Sequence, residues 1–312
     1  MSEPSSPSVT AKRIVVGYDG SSGATLALRH AAYYAVERGL GLTILAAHRD
    51  LDPTSTRTAR ALKSNPDYVN ELRVRIVSHL DELCAQVRAD HPGIDVLPDL
   101  VITNPAGALA AASQDAAFVV VGARGNSADR RAPVLGGISS AVIAHALGPV
   151  IVIPDAATTV PTPGPVVIGL QDAPDSLAAG VIAAAEAETR GVPLLALYAW
   201  DIAPELGDLG ALARLDPVKT QHDLEQMLSE LLEPLQAGHP DLVVERRVVQ
   251  GSARAALVEA SKDAGLIVIG SRGLGGFAGM LLGSISRSVT REAACPVMVV
   301  RYRGAKSEAP AE

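Results

Sequence analysis

A chain of 312 residues with 48% hydrophobic but only 3% aromatic side chains can build two ordinary cores from Val, Ile, Leu and Ala. That composition suits parallel strands covered by helices and argues against an aromatic-rich β-sandwich. A net charge of -7 without any Lys/Arg run argues against a nucleic-acid partner, because nothing would displace counterions from a phosphate backbone.

Residues 1–10 are polar and Ser/Pro-rich, with no apolar core like that of a signal peptide, so a cytoplasmic protein is expected. The stretches before Lys12 and after Arg303 read as disordered tails. A strand is expected at 13–18, then a helix from Ala24 to Glu37 with apolar residues at helical spacing. Strand Leu42 to Ala47 follows, then a long variable segment and a helix from about Asp67 to Ala89. Next come strand Asp95 to Ile102, helix Ala106 to Asp115 and strand Phe118 to Val121. A glycine-bearing loop, helix Ile138 to Ala146 and strand Val150 to Ile153 complete the unit. The apolar runs are strand-sized, so no membrane span is expected. Cys84 and Cys295 make no metal or redox spacing and read as buried thiols.

The second half repeats the first. Gly17 falls over Gly169, Ala106 over Arg254 and Pro149 over Pro296, so the offset drifts only from 152 to 148 to 147. Such steady register marks a duplication. The expected domains are 12–154 and 166–303, joined by a linker, 155–165, that prolines stiffen. Five strands separated by helices in each copy imply right-handed crossovers and an open parallel sheet. Ligands of such sheets sit beyond the carboxyl ends of the strands.

After the fourth strand of repeat two comes Gly270-Ser-Arg-Gly273, nine residues, then Gly283-Ser284 opening a helix. Glycines let the backbone turn sharply and let N–H groups approach an anion. The helix N-terminus adds unpaired N–H groups and a favourable dipole, and Ser284 and Ser286 add hydroxyls. Together these read as a cradle for a di- or triphosphate.

This G-x2-G-x9-G-S pattern resembles the nucleotide motif of the ATP-binding branch of the universal stress protein family. Gly17-Tyr-Asp-Gly-Ser21 after the first strand and Cys295-Pro-Val before the last resemble that family too, and the likeness runs from about residue 12 to 303. The resemblance implies two α/β domains with strand order 3-2-1-4-5, binding ATP, alone or with Mg2+, between the ends of strands one and four. Asp19 would then sit at the adenosine end, with Ala47 and Ala199 lining the adenine pocket. Ile269, Gly270 and Gly273 would line ribose and phosphates, and Gly283, Ser284, Ile285 and Ser286 would grip the phosphates. Gly17, Gly169, Ser271, Gly275 and Gly276 complete the candidate surface. The matching stretch of repeat one is Val121, Gly122, Arg124, Gly125, Gly136, Gly137, Ile138 and Ser139. The family further implies that the two last strands pair across a pseudo-twofold axis, any homodimer using other surfaces.

Each copy departs from the pattern. Repeat one has ten residues between Gly125 and Gly136, and no Ser or Thr follows Gly136. Repeat two carries Gln171 where repeat one has Asp19, although an amide still hydrogen-bonds a purine or ribose edge. Repeat two is expected to bind better. Arg124 and Arg272 could contact phosphate or lie solvated, and Asp201 could reach a ribose hydroxyl. The stretch 273–278 also fits a dinucleotide fingerprint but lies too late in the domain. No Gly-Lys-Ser/Thr, nucleophile elbow or His/Cys ligand cluster occurs, so the expectation is a nucleotide sensor in a stress response rather than an enzyme. A non-binding scaffold and an adenylating enzyme are the rival readings.

Overall fold

The computed structural model describes residues 12–48, 66–126, 135–171, 174–200, 217–271 and 282–301. Repeat one comprises β1 (Ile14–Gly17), α1 (Ser22–Arg38), β2 (Leu42–Ala47), α2 (Pro66–Asp90), β3 (Val96–Val101), α3 (Pro105–Ala112), β4 (Phe118–Gly122), α4 (Gly137–His145) and β5 (Val150–Ile153). Repeat two comprises β6 (Val166–Leu170), α5 (Pro174–Arg190), β7 (Leu194–Trp200), α6 (Pro217–Gly238), β8 (Val244–Gln250), α7 (Ala253–Ala260), β9 (Leu266–Gly270), α8 (Ser284–Glu292) and β10 (Val297–Val300). These elements lie within a few residues of the expected ones. Helix α1 starts two residues before Ala24 because Ser21 caps it, its hydroxyl accepting from the Ala24 N–H at 3.1 Å. Gly39 ends it in the left-handed region at φ 61°, its N–H closing on Ala35 and Val36 carbonyls. Among the described residues, no helix is long and apolar enough to cross a membrane.

The ten strands form one sheet of order β3-β2-β1-β4-β5-β10-β9-β6-β7-β8. Each repeat therefore has the order 3-2-1-4-5 with parallel neighbours, and the two meet where β5 pairs antiparallel with β10. Alternate strand residues face opposite sides, which splits the core in two. Ile14, Val16, Val120, Ile151, Ile168 and Met298 pack with α1, α2, α5 and α6. Val15, Val119, Val121, Val152, Val167 and Val299 pack with α3, α4, α7 and α8. Cys84 belongs to the first layer and Cys295 to the second, so the sheet separates these buried thiols. Burial pushes the Cys295 thiol up to about 12, far from reactive thiolate.

Pairing β5 with β10 brings α1 and α5 together on one face. There Arg38 Nη2 lies 2.5 Å from a Glu186 oxygen, and Arg190 Nε is 3.4 Å from that same oxygen. Both guanidinium carbons lie 5.2 Å from the Tyr34 ring centroid, which spreads their charge over an aromatic face. Tyr34 is buried, and desolvation pushes its hydroxyl up to about 12. The linker is seated rather than loose. Ala157 is buried, and its carbonyl lies 2.9 Å from His30 Nε2. A carbonyl only accepts, so Nε2 carries the proton, and the buried Nδ1 has no hydrogen-bond partner among the described residues.

Two expected outcomes follow from this interface. Val299 is flanked by Val150 of β5 and Ile269 of β9, so Val299→Pro removes a ladder donor whichever side its N–H serves. Leaving an acceptor unpaired costs roughly 1–3 kcal/mol, and hydrogen exchange at 150–153 should accelerate tenfold or more; unchanged protection there would count against the interface. His30 is held below its ordinary 6.5 chiefly by burial, aided by the Arg29 and Arg190 charges and opposed by its bond to Ala157. A lowered folded pKa means the unfolded chain binds the extra proton, so this contribution is complete above about pH 6.5 and shrinks as pH falls. Denaturant midpoints measured from pH 7.5 to 5 should therefore fall, and His30→Asn should flatten that slope.

Candidate functional site

The carboxyl ends of β1 and β4 meet the amino ends of α1 and α4. The loop after β1 is stapled to the turn after β4 by Asp19. Its Oδ1 accepts from the Ser21 N–H at 3.0 Å and its Oδ2 from the Asn126 N–H at 3.1 Å. Asn126 Nδ2 donates back to the Asp19 carbonyl at 2.7 Å. Two glycines permit this approach. A Cβ on Gly122 would lie 2.7 Å from the Gly23 backbone, and one on Gly125 would lie 2.5 Å from Asp19 Oδ2.

The helix side is built by a backbone relay. The Ala123 N–H donates to the Ile153 carbonyl at 2.8 Å, and the Gly136 N–H donates to Ala123 at 2.8 Å. Gly136 then caps α4 with no side chain of its own to accept from the first-turn N–H groups of Gly137, Ile138 and Ser139. Between these parts lies a pocket of about 280 Å3. Leu45, Ala47 and Leu109 make its apolar end; Gly122, Gly125, Gly136 and Gly137 make its backbone-rich end. An apolar plate beside oriented N–H groups suits a flat ring attached to an anion.

Repeat two shows the same relay where it is described. The Ser271 N–H donates to Val300 at 2.8 Å, the Gly283 N–H donates to Ser271 at 2.9 Å, and Gly283 caps α8 without a side chain. Ser284 is exposed beside it, Ile285 is half-buried, and Ile269, Gly270 and Ser271 are buried at the end of β9. Ala199 is partly buried near the end of β7. Gly169 packs beneath Leu257, and the Gln171 N–H donates to Ser176 Oγ at 3.1 Å. Asp201, Arg272, Gly273, Gly275 and Gly276 lie outside the described residues.

All the repeat-one candidates line the pocket: Gly17, Asp19, Ala47, Val121, Gly122, Arg124, Gly125, Gly136, Gly137, Ile138 and Ser139. Among the expected hydroxyl donors, Ser286 is already engaged. Ser286 Oγ donates to the Gly270 carbonyl at 2.8 Å, and Ser139 Oγ to the Gly122 carbonyl at 2.7 Å. These hydroxyls lock helix to strand, so what the third helical residue offers a ligand is its backbone N–H. Arg124, expected either at a phosphate or in solvent, is ion-paired with Asp155. Sequence reasoning passed over Asn126, Leu45 and Leu109. Asn126 directly follows the glycine turn, which is a signal; the two leucines look like any core residue in a one-dimensional pattern.

Among the described residues, no three His, Cys, Asp or Glu side chains gather as a metal site.

The glycine at 125 gives a direct test of the staple. Gly125→Ala should cost about 1–3 kcal/mol by overpacking against a carboxylate pinned by two N–H groups. In a denaturant double-mutant cycle, adding Asp19→Ala should recover part of that loss. Strict additivity would show that the two residues do not meet.

Comparison with known proteins agrees with this architecture. The sequence profile described as the Universal stress protein family matches residues 10–154 and 164–301. A universal stress protein of Mycobacterium tuberculosis is 34% identical over 297 residues, covering 92% of this chain and 96% of that one. A universal stress protein of Mycobacterium bovis is 33% identical over 309 residues, covering 92% and 94%. Among solved structures, that of a universal stress protein from Archaeoglobus fulgidus shares the fold, with TM-score 0.67 at 20% identity over 93% of this chain and 98% of that chain. Two matched copies, joined edge to edge in one sheet, show that the chain belongs to the universal stress protein family as a tandem-domain member.

Proposed function

We propose that this chain binds ATP at the carboxyl ends of its strands and acts as a nucleotide-dependent stress or regulatory protein with little turnover. The observation that carries this reading is the repeat-one pocket, lined by apolar Leu45, Ala47 and Leu109, by a helix N-terminus capped by Gly136 and by a glycine turn. The adenine would lie against the apolar wall, and the phosphates would take the N–H groups of Gly137, Ile138 and Ser139. Gln171 would serve in repeat two where Asp19 serves in repeat one. Repeat two would bind more tightly, because Ser284 adds a hydroxyl at the helix start and its loop keeps the nine-residue spacing. Among the described residues that line the pocket, Asp19 is the one carboxylate, and it is committed to two backbone N–H groups.

The same commitments favour one rival, a scaffold that uses the fold without nucleotide. With Ser139, Ser286 and Arg124 already engaged, side chains contribute little to phosphate binding.

Isothermal titration with ATP separates these readings. Binding is expected, and Gly273→Val should remove most of it, since a branched side chain in place of a turn glycine blocks backbone approach to an anion. Loss on Gly125→Val but not on Gly273→Val would move the main site to repeat one. No heat and no shift in melting temperature would leave the scaffold. Hydrolysis should run far below the enzyme median of about 10 per second; a rate near that median would overturn the sensor reading.

A further inference from the structure

The linker that leaves β5 is fastened at two points. The Asp155 carboxylate pairs with Arg124, within the glycine turn that walls the repeat-one pocket, and the Ala157 carbonyl is held by buried His30. Between these points the Ala157 N–H donates to Pro154 at 3.0 Å and the Thr158 N–H to Ala156 at 2.9 Å. The ion pair is half-exposed, its side chains 31% and 45% accessible, so water screens it and it is easily exchanged. Beyond it lies a second cavity of about 560 Å3, which includes Arg29, Asp155 and Thr158 and shares Ser21, Arg124 and Gly125 with the first. Arg124 thus forms part of the wall between the pocket and the linker, neutralised by a carboxylate that belongs to the linker.

Repeat two has no such carboxylate. Pro149 matches Pro296, an offset of 147, and 155 plus 147 places Tyr302 at the position of Asp155. On sequence grounds, the carboxylate that meets Arg124 thus has no counterpart at the matching position of repeat two.

We propose that Asp155 is a resident counter-ion for Arg124, and that a phosphate chain entering the repeat-one pocket takes Arg124 from it and loosens residues 155–158. This rests on the nucleotide reading of repeat one given above. A polyphosphate offers more charge and more acceptor oxygens than one carboxylate, and a guanidinium fork favours such a partner. Occupancy of repeat one is thereby transmitted to the segment that joins the repeats.

Hydrogen exchange read by mass spectrometry on the full chain, with and without ATP, tests this directly. Slowed exchange at 137–140 reports occupancy of repeat one, and exchange at 155–158 reports the linker. In the parent, ATP should slow the first and speed the second about two- to fivefold, the span expected for releasing an exposed pair. In Asp155→Asn, 155–158 should exchange fast from the outset and not respond to ATP. Its repeat-one affinity should rise roughly two- to fivefold, while Lys262→Gln, far from the pocket, behaves as the parent. Protection at 137–140 with 155–158 unmoved and Asp155→Asn of parental affinity overturns the coupling and leaves nucleotide binding standing. No protection at 137–140 overturns nucleotide binding by repeat one, and the coupling with it.

Discussion

The antiparallel pairing of β5 with β10 is the constraint on which the rest of the molecule depends. All four residues of each strand are buried, so neither strand could stand as an open edge in water. The outer edges are made differently. β3 exposes Pro98 beside Asp99, and β8 exposes Glu245, Arg246 and Arg247, which discourage a further strand. Fusing the two inner edges gives one ten-stranded sheet with a continuous core layer on each face.

That fusion also dictates what α1 and α5 must carry. Brought side by side, they bury Arg38, Glu186 and Arg190 with Tyr34. Desolvating these charges is costly, and their mutual attraction returns it only with good geometry. The shared Glu186 oxygen and the aromatic face between the two arginines return part of it, while the buried Nε and Nη2 of Arg190 make no hydrogen bond among the described residues. Such a cluster tolerates one relative placement of the helices, so it fixes register where apolar contacts alone would slide.

The site inherits its rigidity from the same frame. Each cradle hangs on a backbone relay that begins at the last strand of its own repeat: Ile153 to Ala123 to Gly136, and Val300 to Ser271 to Gly283. Because β5 and β10 are the paired strands, both relays start from the centre of the sheet. The two copies diverge in side chains rather than in this backbone. Repeat one keeps Asp19 as a staple and adds the Arg124–Asp155 pair; repeat two has Ser284 at its helix start.

The sequence by itself determined the duplication, the alternation of strands and helices, and the glycine turns, because each is written in local periodicity or fixed spacing. Gly122, Gly125 and Gly136, which line the pocket, were legible as candidates since a missing Cβ is a local property. Only the tertiary structure decided what those glycines approach, namely the Gly23 backbone and the Asp19 carboxylate, since neither neighbour is near in sequence. It also made the Ser286 hydroxyl, an expected ligand donor, and the matching Ser139 hydroxyl into locks on strand carbonyls, because a hydroxyl takes the nearest acceptor that folding presents. The linker shows the difference most clearly: its prolines announced a connection, but the burial of Ala157 and the pairing of Asp155 required α1 and the β4 turn to be in place around it.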